Sequence, residues 1–419
     1  MAQTDFLGHP KGLFLLFASE LWERFSFYAL RSILVLYLTA LTIDGGLGWN
    51  KADALRLYGV YTGLIYITPL FGGWLADNKI GQRKAVLIGA VLMGAGQFVL
   101  AAGFGLYLGL ALLICGNGLF KPNISTMVGA LYSPTDTRRD SAFTIFYMGI
   151  NIGSALAGIV AGFVSTVWSF KAAFFVAGLG MVAAWSLQAF LSGKYLGGIG
   201  TVPAAKSARE QTRAFSESEK KHLRIILTLG LFSVVFWTGF EQAGGLMNLF
   251  AAERIDRTVA GYTVPTAFFQ ALNPIFIIVL APVFAWLWAK LGNKDPSFAA
   301  KFALALTFSA IGFALMTAAA GQAEQASMIW LIGTYFFHTI GELCLSPTGL
   351  SMVARLAPQR RLSLMMGIWF CFTALANFAA GILGSFMDDW GALWIFAALG
   401  IVSAAAAGLL WLLSPKLMP

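Results

Sequence analysis

Charge is scarce in this chain. Only 11% of its 419 residues are Asp, Glu, Lys or Arg, against roughly 25% in an average soluble domain. So little polarity excludes a disordered chain. Cysteine and histidine are rarer still, at three each. Cys115, Cys344 and Cys371 lie inside apolar runs without metal-ligand spacing, which excludes a disulfide framework and reads as packing. No Walker-type Gly-Lys-Ser/Thr occurs, which argues against work driven by ATP. No Ser–His, paired-Asp or His-Glu-x-x-His arrangement offers an enzyme, so no catalytic residue, metal or cofactor is expected.

What the chain has is apolar surface. Hydrophobic residues make up 58%, with 36 Phe and 13 Trp. No water-soluble globule has interior enough to hide that much, so the solvent is a bilayer. The net charge of +9 is not a nucleic-acid footprint, because the basic residues form short clusters between apolar runs. Those runs are about 20 residues long, the length that crosses a hydrocarbon core. The expected spans are 13–41, 54–78, 84–103, 106–130, 141–167, 171–193, 224–251, 265–290, 299–320, 326–354, 362–387 and 391–413. Each must be helical, since lipid offers no partner to an open backbone. The start, MAQTDFLGHPKG, has no basic region or cleavage site of a signal peptide, so the first span is expected to remain.

Lys and Arg set the orientation. Twenty fall in loops on the side of both termini and five on the other, which makes the termini cytoplasmic by the positive-inside rule. The polar stretch 194–223 divides the chain into six-helix bundles at 1–193 and 224–419. Two such halves suggest an internal repeat. The fourth span reads Gly116-Asn117-Gly118-Leu119-Phe120-Lys121-Pro122 and the tenth Gly341-Glu342-Leu343-Cys344-Leu345-Ser346-Pro347. Superposing Gly and Pro makes Asn117 the counterpart of Glu342, and Lys121 that of Ser346.

Charges inside spans are expensive and usually functional. Seven occur: Glu20, Glu23, Arg24, Arg31, Lys121, Glu241 and Glu342. They fall on spans one, four, seven and ten alone, which points to one wet cavity lined by these four helices. At about 100° per residue, Glu20, Arg24 and Arg31 share one face of the first helix, with Glu23 beside it. One alternative is a structural salt-bridge cluster. The other is a switch, in which an acid either pairs with a base or takes a proton. Glu20 or Glu23 against Lys121 suits that switch, and a freed base can then accept a ligand carboxylate. His338, one turn before Glu342, either shares its proton or packs. Asp77, Arg83 and Lys84 read as a latch at the cytoplasmic helix ends.

These residues carry a resemblance. Glu20-Leu21-Trp22-Glu23-Arg24-Phe25, the fifth-span run Phe143 to Ser154, Phe240-Glu241-Gln242 and Gly341 to Pro347 resemble, in order, the motifs of the proton-coupled oligopeptide transporters, and Gly72 to Asp77 with Gly81 to Lys84 is similar to the loop between helices two and three of their superfamily. That family is a branch of the major facilitator superfamily. The resemblance implies an all-α membrane protein of twelve transmembrane helices in two six-helix halves, in the inner membrane. It implies a symporter importing di- and tripeptides with protons as co-substrate, with no nucleic-acid partner and membrane lipid around it. The same scaffold carrying another small anionic or drug-like solute is the alternative. By resemblance, Glu20, Glu23, Arg24, Lys121 and Glu241 serve proton coupling. Arg31 and Lys121 hold the peptide carboxylate; Glu342, Asn151 and Asn273 hold its amine and backbone. Tyr28, Tyr66, Trp237, Ser346 and Trp369 line side-chain pockets. The chain departs from the family in reading Phe27-Tyr28-Ala29 where Tyr-Tyr-Gly is usual. Gly59 stands where animal relatives carry a His, and the stretch 194–223 is too short for the two extra helices usual in bacterial members.

Overall fold

The computed structural model describes residues 5–133, 135–203, 216–358 and 361–417. A short hairpin of β1 (Asp5–Phe6) and β2 (His9–Pro10) leads into α1 (Lys11–Thr39). Then come α2 (Lys51–Leu75), α3 (Gln82–Ala102), α4 (Leu106–Ala130), α5 (Arg139–Val167) and α6 (Phe170–Leu196). The second half holds α7 (Glu217–Phe240), α8 (Leu246–Arg254), α9 (Leu272–Leu291), α10 (Phe298–Ala320) and α11 (Met328–Leu356). It closes with α12 (Leu362–Gly384), the single turn α13 (Met387–Trp390) and α14 (Ala392–Leu413).

Local chemistry explains the ends. Ser216 and Glu219 form a reciprocal capping box at the start of α7, with the Ser216 hydroxyl accepting from the Glu219 N–H at 3.2 Å. That cap satisfies the first orphan donors and extends the helix seven residues before the expected start of the span at 224. Ser169 and Ser297 cap α6 and α10 one way only, each hydroxyl accepting a backbone N–H, from Ala172 and Ala300. Pro69, Pro122, Pro282 and Pro347 lie inside helices, each removing one backbone donor. The linker 194–223 resolves into the end of α6 and the start of α7; residues 204–215, with Lys206, Arg209 and Arg213, and also Arg360, lie outside the described residues.

Among the described residues, nine helices are apolar and long enough to cross a membrane by length and composition. Helices α1, α2 and α4 are as long but hold the polar, tyrosine and glycine residues that lower their apolarity. One expectation needs correcting. The seventh span is not continuous: α7 stops at Phe240, a 3₁₀ turn covers Glu241–Gly244, and α8 starts after Gly245. Two adjacent glycines disfavour continuing the helix there, and the break leaves Glu241 only 3% exposed. The cysteines also divide. Cys344 is buried, whereas Cys115 and Cys371 are exposed on helix surfaces.

The chain forms two compact units, 1–47 with 64–206, and 48–63 with 207–419. Helix α2 is thus divided after Gly63. In the first unit α1 packs on α5 and α6, and α3 on α4 and α6. In the second, α10 packs on α11 and α14, and α7 on α12. Its core gathers Phe236, Phe302, Leu306, Met352 and Trp369. The first half of α2 joins this unit by backbone approach: a Cβ at Gly59 would lie 2.7 Å from Gly381 Cα and 2.9 Å from the Asn377 carbonyl. A histidine has no room at Gly59. Lys51 at the same end pairs with Glu253 at 2.8 Å and lies 3.5 Å from Asp388.

Candidate functional site

In the first unit, the motif on α1 condenses into a buried ion cluster. Arg24 lies between two acids of its own helix. Its Nη2 donates to Glu23 Oε1 at 2.6 Å, its Nε donates to Glu23 Oε2, and the same Nε is 3.3 Å from Glu20 Oε1. Glu20, Glu23 and Arg24 are 1%, 0% and 3% exposed. One guanidinium thus faces two carboxyl groups. Lys121, on α4, acts electrostatically on Glu20, and its ammonium sits 5.0 Å over the Tyr66 ring. The four residues expected to work together on α1 and α4 are therefore together. Arg31 is buried two turns further on, 5.6 Å over the Tyr28 ring. Asn151 is buried on α5, its amide donating to the Tyr147 carbonyl at 3.0 Å.

The cluster is seated by amides from other helices. Gln97 of α3 donates to the Ser26 carbonyl at 3.0 Å, and Gln188 of α6 donates to Ser19 at 2.8 Å. Both glutamines are buried. These bonds fix the rotation of α1, because breaking either leaves a polar group without water. Asn117 of α4 reaches the cluster itself, donating to Glu23 Oε1 at 3.2 Å.

In the second unit, Asn273 of α9 donates to Glu342 Oε2 at 2.8 Å and to Thr339 Oγ1 at 3.0 Å. Thr339 escaped the sequence reading; its place one turn before Glu342 was the available signal. The hydroxyl donates to the Tyr335 carbonyl at 2.7 Å, which turns its oxygen toward Asn273 as an acceptor. Glu241 is buried in the 3₁₀ turn. Trp237 is half-buried between the rings of Phe236 and Phe240. Ser346 is half-buried just before Pro347. Trp369, expected to line a side-chain pocket, is packed in the core at 5% exposure against Phe302 and Phe372. The small residue Gly349 makes the space its ring fills. His338 is packed too, 2% exposed with Phe313 at 4.8 Å.

The expected latch is dispersed. Arg83 turns to the end of α6, donating to the Gly197 carbonyl at 2.7 Å and to Ser192 at 2.7 Å. Asp77 and Lys84 are exposed, and among the described residues Asp77 makes no ion pair with either base. A basic side chain on a helix C-terminus satisfies orphan carbonyls and suits the dipole, so Arg83 is better placed there. Outside the membrane, Arg138 hydrogen-bonds Asp136 through its side chain and backbone N–H and holds that carboxyl below its ordinary range. Arg138 also donates to the Gly8 carbonyl at 2.9 Å, and His9 meets Tyr132 at 2.8 Å, so the hairpin is tied to the α4–α5 connection.

The family model described as the POT family matches residues 83–196 and 196–397. The chain belongs to the POT family. The peptide transporter YePEPT of Yersinia enterocolitica (subsp. palearctica serotype O:3, strain YE-P4) is 36% identical, over 90% of this chain and 88% of that protein. A crystal structure of a peptide transporter POT in complex with sulfate superposes with a TM-score of 0.94 at 34% identity, covering 99% of this chain and 96% of that one. A POT family transporter solved with 5-aminolevulinic acid gives 0.93 at 32% identity, covering 100% and 99%. The fold is accordingly that of the major facilitator superfamily, a multi-pass membrane protein of two six-helix halves.

Proposed function

We propose that this POT family chain is a proton-coupled symporter that imports di- and tripeptides across the inner membrane by alternating access, with both termini cytoplasmic. The observation that carries the reading is the α1 cluster, two acids on one guanidinium with Lys121 on the neighbouring helix. With Lys121 counted, two acids meet two bases, and protonating Glu20 or Glu23 leaves one carboxylate for both. Arg24 or Lys121 is then less fully neutralised, and a ligand carboxylate is drawn to the base. Proton and ligand thereby raise each other's affinity, which is coupling by linkage. Arg31 and Lys121 take the peptide carboxylate. Glu342, set by Asn273, takes the amino terminus with Asn151, and Glu241 is the second proton site. Tyr28, Tyr66, Trp237 and Ser346 meet side chains through aromatic faces or a small hydroxyl, which tolerates varied residues.

The test uses purified protein in liposomes with an inward proton gradient and labelled dialanine. Uptake above empty vesicles is expected, and its collapse when gradient and membrane potential are removed. Uptake that persists without either would refute proton coupling. The relative solved with 5-aminolevulinic acid favours a second reading, another small carboxylate-bearing solute. That reading gains if such a solute is accumulated and dialanine neither enters nor competes.

A further inference from the structure

We propose that Asn117 is a positioning residue that accommodates both protonation states of Glu23, its amide donating to the carboxylate and, turned over, its carbonyl accepting from the carboxylic acid. The proposal rests on the reading of Glu23 as a proton carrier. Asn117 is 0% exposed on α4, one turn before Lys121 and so on the same face. Its Nδ2 donates to Glu23 Oε1 at 3.2 Å, while its Oδ1 is buried with no hydrogen-bond partner among the described residues.

An orphaned carbonyl so deep costs about 1–3 kcal/mol. The proton cycle supplies a reason for it. An ionised carboxylate only accepts, and Arg24 and Asn117 both donate to Glu23. A protonated carboxyl carries one O–H, for which a donor amide is the wrong neighbour. Turning the amide by about 180° about its last torsion exchanges Oδ1 and Nδ2 in nearly the same volume. The carbonyl then meets the new O–H, and Nδ2 gives up Glu23 Oε1 for the unpartnered place that Oδ1 holds in the ionised state. No covalent bond is made or broken in the turn; the proton stays on Glu23. An aspartate at this place would add a charge, and a leucine would serve neither state.

The charged and titratable groups around Glu23 are few. On α1 they are Glu20, Arg24 and Tyr28. On α4 there is Lys121, with Tyr66 of α2 beneath it. Helices α5 and α6, packed against α1, carry Arg139, Asp140, Lys171 and Lys194 only in their end turns, and Tyr147 and Tyr195 besides. None of these others is a neutral amide able to reverse its polarity.

The experiment compares wild type, Asn117→Leu, Asn117→Ser and Glu23→Gln in liposomes, reading gradient-driven dialanine uptake against pH together with counterflow exchange. Losing a donor to a carboxylate costs more than losing an acceptor for a neutral acid, so the Leu variant should move the uptake midpoint about one pH unit upward. Its exchange should stay within about twofold of wild type, since a neutral Glu23 needs the smaller bond. The Ser variant, short of reach, should shift the same way and serves if Leu misfolds. Infrared difference spectra on acidification should show a protonated-carboxyl band that Glu23→Gln removes and Asn117→Leu moves to higher frequency. An unmoved midpoint and band in both Asn117 variants, with Glu23→Gln uncoupled, overturns the role of Asn117 alone. Full gradient-driven uptake by Glu23→Gln overturns the carrier reading, and the proposal with it.

Discussion

The two halves carry the same registered motif with its polarity exchanged. On α4 the position after the motif's glycine is an amide, Asn117, and it donates to an acid on α1. On α11 that position is an acid, Glu342, and it accepts from an amide on α9. In the first half the acids share a guanidinium from their own helix, so the cluster is dense in charge and its hydrogen bonds are charge-assisted. In the second half the carboxylate is oriented by an amide and a hydroxyl-anchored network. The lesson is that one scaffold position can serve either side of a hydrogen bond. In the function proposed above, the first half exchanges a proton and the second presents a carboxylate to a cationic end.

That contrast can be broken most completely at Glu23. Replacing it with Gln should bring gradient-driven uptake down to that of empty vesicles while counterflow exchange survives, because exchange needs no net proton step. Loss of both activities would mean that the first half orients ligand rather than protons. Lys121→Ala comes next. It should weaken binding of free peptides about tenfold, the worth of one charge-assisted bond, and spare peptides with an amidated end. Equal losses for both would take Lys121 out of the carboxylate role. A smaller effect is expected at Asn273→Ala. Glu342 keeps its charge but loses its orientation, so affinity for peptides with a free amino terminus should fall about fivefold, more than for acetylated ones in a competition assay.

The smallest effect lies outside the membrane. Asp136 is stabilised in its ionised form by Arg138, so its folded value lies below its unfolded one. Its contribution is present at pH above about 4 and fades as pH falls through the lower, folded value. Hydrogen exchange in the β1–β2 hairpin should therefore be flat from about pH 5 to 8, once corrected for intrinsic rates, and show loosening only below about pH 4. Asp136→Asn should expose the hairpin amides at neutral pH and leave peptide uptake unchanged.

Much of the site was legible from single residues. A charge inside a 20-residue apolar run announces itself, and all seven lie on helical segments, with Glu241 at the helix break. The partners were less legible. Thr339, Gln97 and Gln188 are ordinary polar residues in a list, and their roles appear only where a neighbouring helix brings a matching group within about 3 Å. Trp369 illustrates the reverse. An aromatic ring in a span suits a pocket wall as well as a core, and Gly349 opposite it decides for the core. Arg83 has a carboxylate six residues away in sequence, yet the end of α6 presents it with open carbonyls.

The sequence by itself determined that this protein lives in a membrane, how many times it crosses and where its costly charges sit. Those are local quantities, because hydropathy over about 20 residues responds to a solvent of nearly uniform thickness. The tertiary structure alone decided which acid meets which amide, where the seventh span breaks, and that α2 divides after Gly63 with Gly59 against Gly381. Those depend on how far each helix is rotated and how closely two backbones approach, and no pattern within one helix specifies either.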